Sequence, residues 1–316
     1  MSEARRESIL VVGSVALDTV ETPFGRAEDA LGGSAIYFGA AASLFGHVQL
    51  VGVVGGDYPL DRLEFLRERG ADLDGLERAD GRSFRWSGIY EYDLNARRTV
   101  STELGVFADF EPAIPEAFRE ARWVFLGNIH PALQHRVLDQ IEEPTLVACD
   151  TMNYWIERDR DILLDLLERI DMLVINDAEV RELSGDHNLA RGARWILEHG
   201  PSHVVIKKGE HGAVLFHENG VFFVPGYPLE EVFDPTGAGD AFAGGLLGHL
   251  SRAPRLDEEE LRRGVVFGCA LGSFACEEFG PDRLRELSVH EVASRVQAFL
   301  EMTRFEHELP AESPGA

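Results

Sequence analysis

The sequence has little positive charge. Its 316 residues contain 30 Lys and Arg against 55 Asp and Glu, which gives a formal net charge of −25. Because nucleic acids and anionic membranes are bound through clustered basic residues, this balance argues against either as a partner. Only two of the basic residues are lysines, the adjacent Lys207 and Lys208. A protein of this charge that handles a phosphate compound needs local groups to overcome an unfavourable overall field.

Cysteine and long apolar runs are also scarce. The three cysteines form no CxxC pair and cannot all pair with one another, which argues against a disulfide framework or a zinc site and favours a reducing cytoplasm. The N-terminus lacks a signal-peptide pattern. The most apolar stretch, residues 35–54, is interrupted by Gly, Ser, His and Gln, so it is interpreted as a buried helix, a turn and a strand.

Short apolar segments alternate with helical segments along most of the chain. The predicted strands are residues 8–15, 49–54, 123–126, 145–149, 172–175 and 203–206. The predicted helices include residues 34–45, 159–169 and 190–199. Alternation of this kind favours an α/β fold with a mostly parallel sheet that is covered on both faces.

One region departs from this alternation. Within residues 83–103, the aromatic residues Phe84, Trp86, Tyr90 and Tyr92 are evenly spaced. The chain then turns at a DLNA sequence and returns through residues 99–102, which predicts an antiparallel hairpin. The pattern fits a plain edge hairpin and a functional lid equally well. Because the chain shows no repeat or linker, we expect one domain over residues 1–308 and a flexible tail over residues 309–316.

The stretch VFDPTGAGDAFAGG predicts a turn from a strand that ends at Val232 and Phe233 into a helix of small residues. Unpaired N–H groups at the start of a helix attract phosphate oxygens, and Gly237 and Gly239 let the backbone approach them closely. A carboxylate at Asp240 repels a phosphate, so its presence needs a reason. Proton abstraction from a hydroxyl group that attacks phosphorus is such a reason.

An alternative is that Asp240 only caps the helix and that the glycines serve packing. The stretch matches neither GxxxxGK[ST] nor GxGxxG. A P-loop and a dinucleotide fingerprint are therefore not the explanation, and the segment after the first strand, VVGSVALDTV, also lacks the three glycines that an NAD-dependent oxidoreductase needs.

The segment DPTGAGDAFAGG resembles the C-terminal signature, usually DTxGAGD, of the ribokinase-like (PfkB) family of carbohydrate and nucleoside kinases. Pro235 stands where Thr is usual, and the GAGD core is intact. The resemblance implies a three-layer α/β/α sandwich with a mostly parallel central sheet. It also implies a small β lid built from the hairpin at residues 83–103 and a short segment at residues 17–31, reduced because only 13 residues separate Asp18 from Gly32.

The same resemblance assigns roles at the glycine-rich turn. It implies that the amides of Gly237, Ala238 and Gly239 form an anion hole and that Asp240 is the general base. The segment LGGSAIYFGAAASLFG resembles the family's substrate-contacting Gly-Gly motif, but Tyr37 stands where many sugar kinases have Asn. The substrate-binding residues implied are Asp18, Gly32, Gly33, Ser34, Asp150 and Asn153.

The nucleotide side is implied by two further segments. INDAEVREL resembles the family's NxxE motif, in which Glu179 would hold Mg²⁺ through water. The same pattern is also a helix capping box, and both interpretations can hold together. The ATP-binding residues implied are Asn176, Lys207, Gly209, Gly212, Thr236, Gly237, Gly239 and Gly272.

The activity implied is ATP-dependent phosphorylation of an alcohol, usually a hydroxymethyl group, of a small sugar or related polyol. Nucleoside and inositol kinases of the same family remain alternatives. A catalytically silent nucleotide-binding regulator would need loss of the base or of the anion hole, and Asp240, Gly237 and Gly239 are all present. ATP and Mg²⁺ are the expected cofactors. A monovalent cation such as K⁺ and a homodimer are left open, and a cytoplasmic location is expected.

Overall fold

The computed structural model describes residues 7–304, which contain thirteen β-strands. The strands are β1 (Ile9–Val12), β2 (Ala16–Thr22), β3 (Gly25–Gly32), β4 (Val48–Val54), β5 (Asp72–Arg78), β6 (Phe84–Tyr90), β7 (Arg97–Glu103), β8 (Trp123–Leu126), β9 (Leu146–Asp150), β10 (Met172–Asn176), β11 (His203–Lys207), β12 (Ala213–His217) and β13 (Gly220–Val224).

The α-helices of the same residues lie between these strands and after them. They are α1 (Ser34–Ala42), α2 (Glu64–Glu68), α3 (Pro131–Leu138), α4 (Asn153–Arg158), α5 (Arg160–Leu167), α6 (Asp177–Ser184), α7 (Leu189–Leu197), α8 (Ala238–Arg252), α9 (Glu258–Ala275), α10 (Asp282–Glu286) and α11 (Val289–Thr303). The predicted alternation of strand and helix is confirmed.

Nine strands form one large sheet in the order β13-β12-β11-β10-β9-β8-β1-β4-β5. Every neighbouring pair from β5 to β11 is parallel, and β12 and β13 add antiparallel strands at one edge. The central strands β1, β4, β8 and β9 are buried along their whole length, which explains why they appear in the sequence as continuous apolar runs. Because these strands run parallel, their carboxyl ends lie along the same edge of the sheet.

The two faces of this sheet carry separate apolar cores. Ile9 and Val11 of β1 point into a core covered by α1, α8, α9 and α11, where the rings of Phe38 and Phe125 stack with centroids 4.4 Å apart. The alternate residue Leu10 points into a second core, covered by α3, α5, α6 and α7. The arrangement confirms the predicted three-layer α/β/α sandwich.

A second sheet of four strands, in the order β3-β2-β6-β7, forms the lid. The predicted hairpin at residues 83–103 is confirmed as the antiparallel pair β6 and β7. The short segment before Gly32 supplies a second antiparallel pair, β2 and β3, which joins the hairpin through a parallel β2–β6 pairing. The 13 residues between Asp18 and Gly32 thus accommodate a tight hairpin, and the lid is small, as predicted.

The predicted strand ending at Val232 and Phe233 is wrong. Strand β13 ends at Val224, and residues 225–237 are a loop. Pro225 and Pro228 cannot donate ladder hydrogen bonds, and the N–H of Phe233 donates to the carbonyl of Cys276 rather than to a strand. The glycine-rich turn therefore follows a proline-containing loop.

Among the described residues, no helix is long and apolar enough to cross a membrane. The predicted flexible tail at residues 309–316 lies outside the described residues. The single-domain interpretation, a homodimer and a cytoplasmic location stay predictions.

Candidate active site

The start of α8 presents backbone N–H groups to the carboxyl edge of the large sheet. Gly237 precedes the helix with a left-handed φ of 75°. Within residues 7–304, the N–H groups of Gly237 and Gly239 make no hydrogen bond, whereas the N–H of Ala238 donates to the carbonyl of Pro235 at 3.2 Å. Of the three amides predicted to form an anion hole, two are available to a ligand and the third closes the turn.

Both glycines lie where an added side chain would meet a neighbouring side chain. A Cβ at Gly237 would overlap the ring of Tyr37, which packs on the turn from α1. A Cβ at Gly239 would come within 2.9 Å of the Nζ atom of Lys207. The absence of side chains therefore leaves a cradle beside an ammonium group, which fits a phosphate oxygen.

Asp240 lies in the first turn of α8 and is partly exposed. Burial raises the pKa of this carboxyl to about 7, and the negative charge of Asp150 adds to the rise, while Lys207 and Arg97 oppose it. A carboxylate whose pKa lies near neutrality can accept a proton at physiological pH. The structure places the predicted base in the same turn as the amides and leaves it partly exposed.

Lys207 and Asp150 form an ion pair between two strand ends. The Nζ atom of Lys207, at the end of β11, is 3.0 Å from Oδ2 of Asp150, at the end of β9, and the side chains are 17% and 8% exposed. Asp150 was predicted to bind substrate, but its carboxylate faces Lys207, and its Oδ1 accepts the N–H of Thr151. Asn153, at the start of α4, is exposed.

Asn176 and Glu179 form the capping box that the sequence pattern allows. Oδ1 of Asn176 accepts the N–H of Glu179 at 2.9 Å, and Oε2 of Glu179 accepts the N–H of Asn176 at 3.0 Å. Burial raises the pKa of Glu179 to about 7, with a further contribution from the charge of Asp150. The second oxygen of Glu179 makes no hydrogen bond within the described chain, so one carboxylate oxygen remains for a metal.

The described residues can bind Mg²⁺ only at a site with few protein ligands, such as the free oxygen of Glu179. Across residues 7–304, no three His, Cys, Asp or Glu side chains cluster as a metal cage. Mg²⁺ keeps several water ligands and needs few carboxylates, so a single oxygen from Glu179 is compatible with it. The assignment of this residue to Mg²⁺ stays a prediction.

The loop after β11 was predicted to contact the nucleotide. Gly209 and Gly212 both adopt left-handed φ values, 54° and 87°, and a Cβ at Gly209 would overlap the side chain of Asn95 from the lid turn. Gly272 in α9 lies against the start of α8, where a Cβ would be 3.1 Å from the carbonyl oxygen of Ala238. The lid turn therefore lies against this loop, and α9 lies against the start of α8.

Thr236 joins the lid to the glycine-rich turn. Its hydroxyl donates to the hydroxyl of Tyr90, on β6, at 3.3 Å, and its N–H donates to Oδ1 of Asp234 at 2.9 Å. Oδ2 of Asp234 accepts the N–H of Gly280 at 3.1 Å. The turn is held from both sides by side chains that the sequence analysis did not single out.

Asp18 lies on β2 and is 4% exposed. Its carboxylate occupies the space that a Cβ on Gly32 would need, and it accepts the N–H of Gly33. Burial raises the pKa of Asp18 to about 8, and the charges of Asp234 and Asp240 raise it further. The predicted Gly-Gly motif and Asp18 are thus brought together.

Ser34 behaves differently from the other residues predicted to bind substrate. Its Oγ accepts the N–H of Ser14 at 3.1 Å, and its N–H donates to Oγ of Ser14 at 3.0 Å. The side chain is buried in this reciprocal pair. Its observed contacts are structural ones between β1 and α1.

The sequence analysis missed three side chains at the site. Tyr37 was noted only as a departure from Asn, yet it is 1% exposed and its hydroxyl lacks a hydrogen-bond partner among the described residues. Asp234 was part of the quoted signature without a role. Arg97 lies in the predicted hairpin, whose sequence pattern indicates strand pairing but not which face of the hairpin is turned toward the site.

The sequence of this chain is similar to those of known proteins. Residues 7–286 match the model of the pfkB family of carbohydrate kinases. A cytidine kinase of Thermococcus kodakarensis is 32% identical over 257 residues, which cover 79% of this chain and 91% of the relative.

Two solved structures have a similar fold. The aminoimidazole riboside kinase of Salmonella enterica, complexed with aminoimidazole riboside and an ATP analogue, has a TM-score of 0.74 at 20% identity, covering 92% of this chain and 99% of the other. A nucleoside kinase of Burkholderia thailandensis, in complex with inosine, has a TM-score of 0.75 at 19% identity, with coverages of 92% and 97%. At these identities the similarity concerns the fold.

Proposed function

The chain belongs to the pfkB family of carbohydrate kinases and is an ATP-dependent phosphotransferase, and on this premise we propose that it phosphorylates the hydroxymethyl group of a small neutral sugar or nucleoside. The observation that carries the proposal is the position of Asp240 in the first turn of α8. There the carboxylate lies next to the unpaired amides of Gly237 and Gly239 and close to Lys207.

In the proposed reaction, the alcohol oxygen forms a bond to the γ-phosphorus of ATP and gives its proton to the carboxylate of Asp240. The bond from the γ-phosphorus to the bridging oxygen breaks, and ADP leaves with that electron pair. The amides of Gly237 and Gly239 and the ammonium of Lys207 stabilise the negative charge on the transferred oxygens. Mg²⁺, held near Glu179, would neutralise phosphate charge when bound.

The acceptor end favours a neutral substrate. Asp18 lies among the charges of Asp234 and Asp240, and within residues 7–304 no lysine or arginine is among the groups that shift its pKa. An anionic acceptor, such as a sugar phosphate or a sugar acid, would meet the negative potential that adds to burial in raising the pKa of Asp18. With its pKa at about 8, the carboxyl of Asp18 is mainly protonated near neutral pH, so it can both donate and accept hydrogen bonds with the hydroxyl groups of a neutral polyol.

Of these two acceptors, the sugar is the first candidate and the nucleoside is the alternative, which a specific observation favours. The cytidine kinase of Thermococcus kodakarensis aligns with most of this chain. An inositol is a weaker alternative because it has only secondary hydroxyl groups. A sugar and a nucleoside both offer a hydroxymethyl group to the same base.

A coupled ADP-release assay tests the proposal. The wild-type protein and the Asp240→Asn variant would be supplied with ATP–Mg²⁺ and with pentoses, hexoses, sugar phosphates, inositols or nucleosides in turn. We expect acceptor-dependent ADP release only with neutral acceptors that carry a hydroxymethyl group, and a low rate without acceptor. Release with sugar phosphates alone would contradict the proposal. ATP binding without ADP release for any acceptor would favour a catalytically silent regulator.

The same assay can test whether a monovalent cation is required. For this test, K⁺ would be exchanged for a larger cation.

A further inference from the structure

The phosphate end of the cleft is short of positive charge. The negative charges of three carboxylates, on Asp150, Glu179 and Asp240, act on Lys207, and each of them raises the pKa of its ammonium group. Lys207 is already paired with Asp150. A triphosphate brings several further negative charges. These charges are repelled strongly by nearby carboxylates where little water screens them. The body of the protein therefore leaves the charge of ATP incompletely compensated.

The lid carries a cation on its site-facing side. Tyr90 of β6 and Arg97 of β7 are directly opposite each other in the antiparallel pair. Cross-strand partners project from the same face of a sheet. Because the hydroxyl of Tyr90 contacts Thr236 in the glycine-rich turn, Arg97 lies on the face that covers this turn. Two residues earlier, Asn95 lies against Gly209 of the nucleotide-side loop.

Arg97 is exposed and uncommitted. Within the described residues it makes no hydrogen bond or ion pair, although many other arginines of the chain are paired with carboxylates. Its charge nevertheless acts on the site, since it lowers the pKa of Asp240 and of Glu179 against the effect of burial. A guanidinium in this position is available to a ligand with anionic oxygens.

We propose that Arg97 is a catalytic residue, which binds oxygens of the transferring phosphoryl group when the lid covers the site. Its planar guanidinium can donate hydrogen bonds to two phosphate oxygens at once. No covalent bond to Arg97 forms. During transfer the phosphorus exchanges its bond to the bridging oxygen of ADP for a bond to the acceptor oxygen, and Asp240 takes the acceptor's proton. Arg97 supplies charge that the body of the protein lacks, so ATP is held fully only under a closed lid.

The inference rests on the ATP-dependent phosphotransferase activity and not on the identity of the acceptor. Its test therefore uses nucleotides alone. Titration calorimetry would measure the binding of ADP–Mg²⁺, of a non-hydrolysable ATP analogue with Mg²⁺, and of ADP–Mg²⁺ with aluminium fluoride, which mimics the phosphoryl group in transfer. The proteins would be the full-length wild type, Arg97→Gln and Arg98→Gln. Arg98 is a matched control because it pairs with Ile89 and projects from the other face of β7.

We expect Arg97→Gln to bind the ATP analogue and the aluminium fluoride complex at least about 10-fold more weakly than the wild type, with ADP affinity unchanged. Arg98→Gln should match the wild type for all three ligands. An Arg97→Lys variant should recover part of the loss. Equal affinities in the two Gln variants, or an equal loss of ADP affinity in Arg97→Gln, would overturn the proposal. Both side chains are exposed, so neither change threatens folding.

Discussion

The two ends of the cleft are built in different ways. The proposed phosphate end consists of two free backbone amides at the start of α8, those of Gly237 and Gly239. The proposed acceptor end is assembled from side chains of separate elements, among them Asp18 on β2 and Tyr37 on α1. Binding by backbone groups leaves a local pattern in the sequence, whereas binding by converging side chains depends on the whole fold.

We expect the two ends to have different roles, one in the transfer of the phosphoryl group and the other in the choice of acceptor. Amides at a helix start stabilise any transferring phosphoryl group, whichever alcohol receives it. At the proposed acceptor end, we expect the buried hydroxyl and carboxyl groups to favour one arrangement of hydroxyl groups, because an unmatched ligand would leave them unpaired. Substitutions at the phosphate end should therefore lower turnover for every acceptor, and substitutions at the acceptor end should change affinity for particular ones.

The largest effect is expected for Gly237→Ala. A Cβ would force the left-handed turn against the ring of Tyr37 and displace the amides, so kcat/KM should fall by about 10²- to 10³-fold in the ADP-release assay. Gly185→Ala is the matched control, since Gly185 has a φ of 70° and nothing described within 4 Å of a Cβ. It should retain full activity. Similar losses in both variants would show that backbone strain alone, not the anion site, is responsible.

A smaller effect is expected for Lys207→Met. The change leaves Asp150 buried and unpaired, which should lower the free energy of unfolding by roughly 3–5 kcal/mol, and turnover should fall by about 10- to 10²-fold as charge compensation is lost. Because Lys207 lowers the pKa of Asp240, the acid limb of the kcat/KM profile should move to higher pH.

Two further variants isolate the contribution of Lys207 to catalysis. The double variant Lys207→Met, Asp150→Asn should regain stability in a denaturant titration but not activity. Lys208→Met should change neither quantity. If activity returned together with stability in the double variant, Lys207 would be a structural residue only.

At the acceptor end, Tyr37→Phe should raise KM for the acceptor by up to about 10-fold, the value of one lost hydrogen bond, with KM for ATP unchanged. The melting temperature without ligand should stay the same or rise, because the variant removes a buried hydroxyl that has no partner in the described residues. Tyr227→Phe, on a ring that packs against Phe299, is the control. A lower melting temperature with unchanged acceptor KM would mean that the hydroxyl serves the fold.

The smallest effect concerns stability against pH. The pKa of Asp18 is raised from 3.8 to about 8 in the folded state, so the native protein holds this proton more tightly than the unfolded chain does. Its contribution to stability is therefore lost as pH rises between those values. Asp18→Asn should raise the melting temperature by more at pH 8 than at pH 5, at about 2–4 °C for each kcal/mol. Equal gains at both values would exclude a strongly raised pKa.

The fold and the phosphate end could be predicted from the sequence because their signals are local. The run Trp123–Leu126 has the bounds of β8, and the GAGD sequence predicted the turn into α8 that the structure shows. The strand assigned to Val232 and Phe233 failed because an apolar pair next to a turn resembles a strand end, and only the tertiary contact with Cys276 explains its loop. The orientations of Tyr37 and Arg97 depend on helix and strand packing that no local pattern encodes.

The central claim is that Asp240 is a base placed at an anion site, and the most direct test is the turnover of Asp240→Asn with saturating ATP and the acceptor found by the screen. The variant keeps the size and the helix position of the side chain but cannot take up a proton. We predict a kcat at least about 10²-fold below that of the wild type, with the affinity for ATP largely retained. An undiminished kcat would contradict the claim.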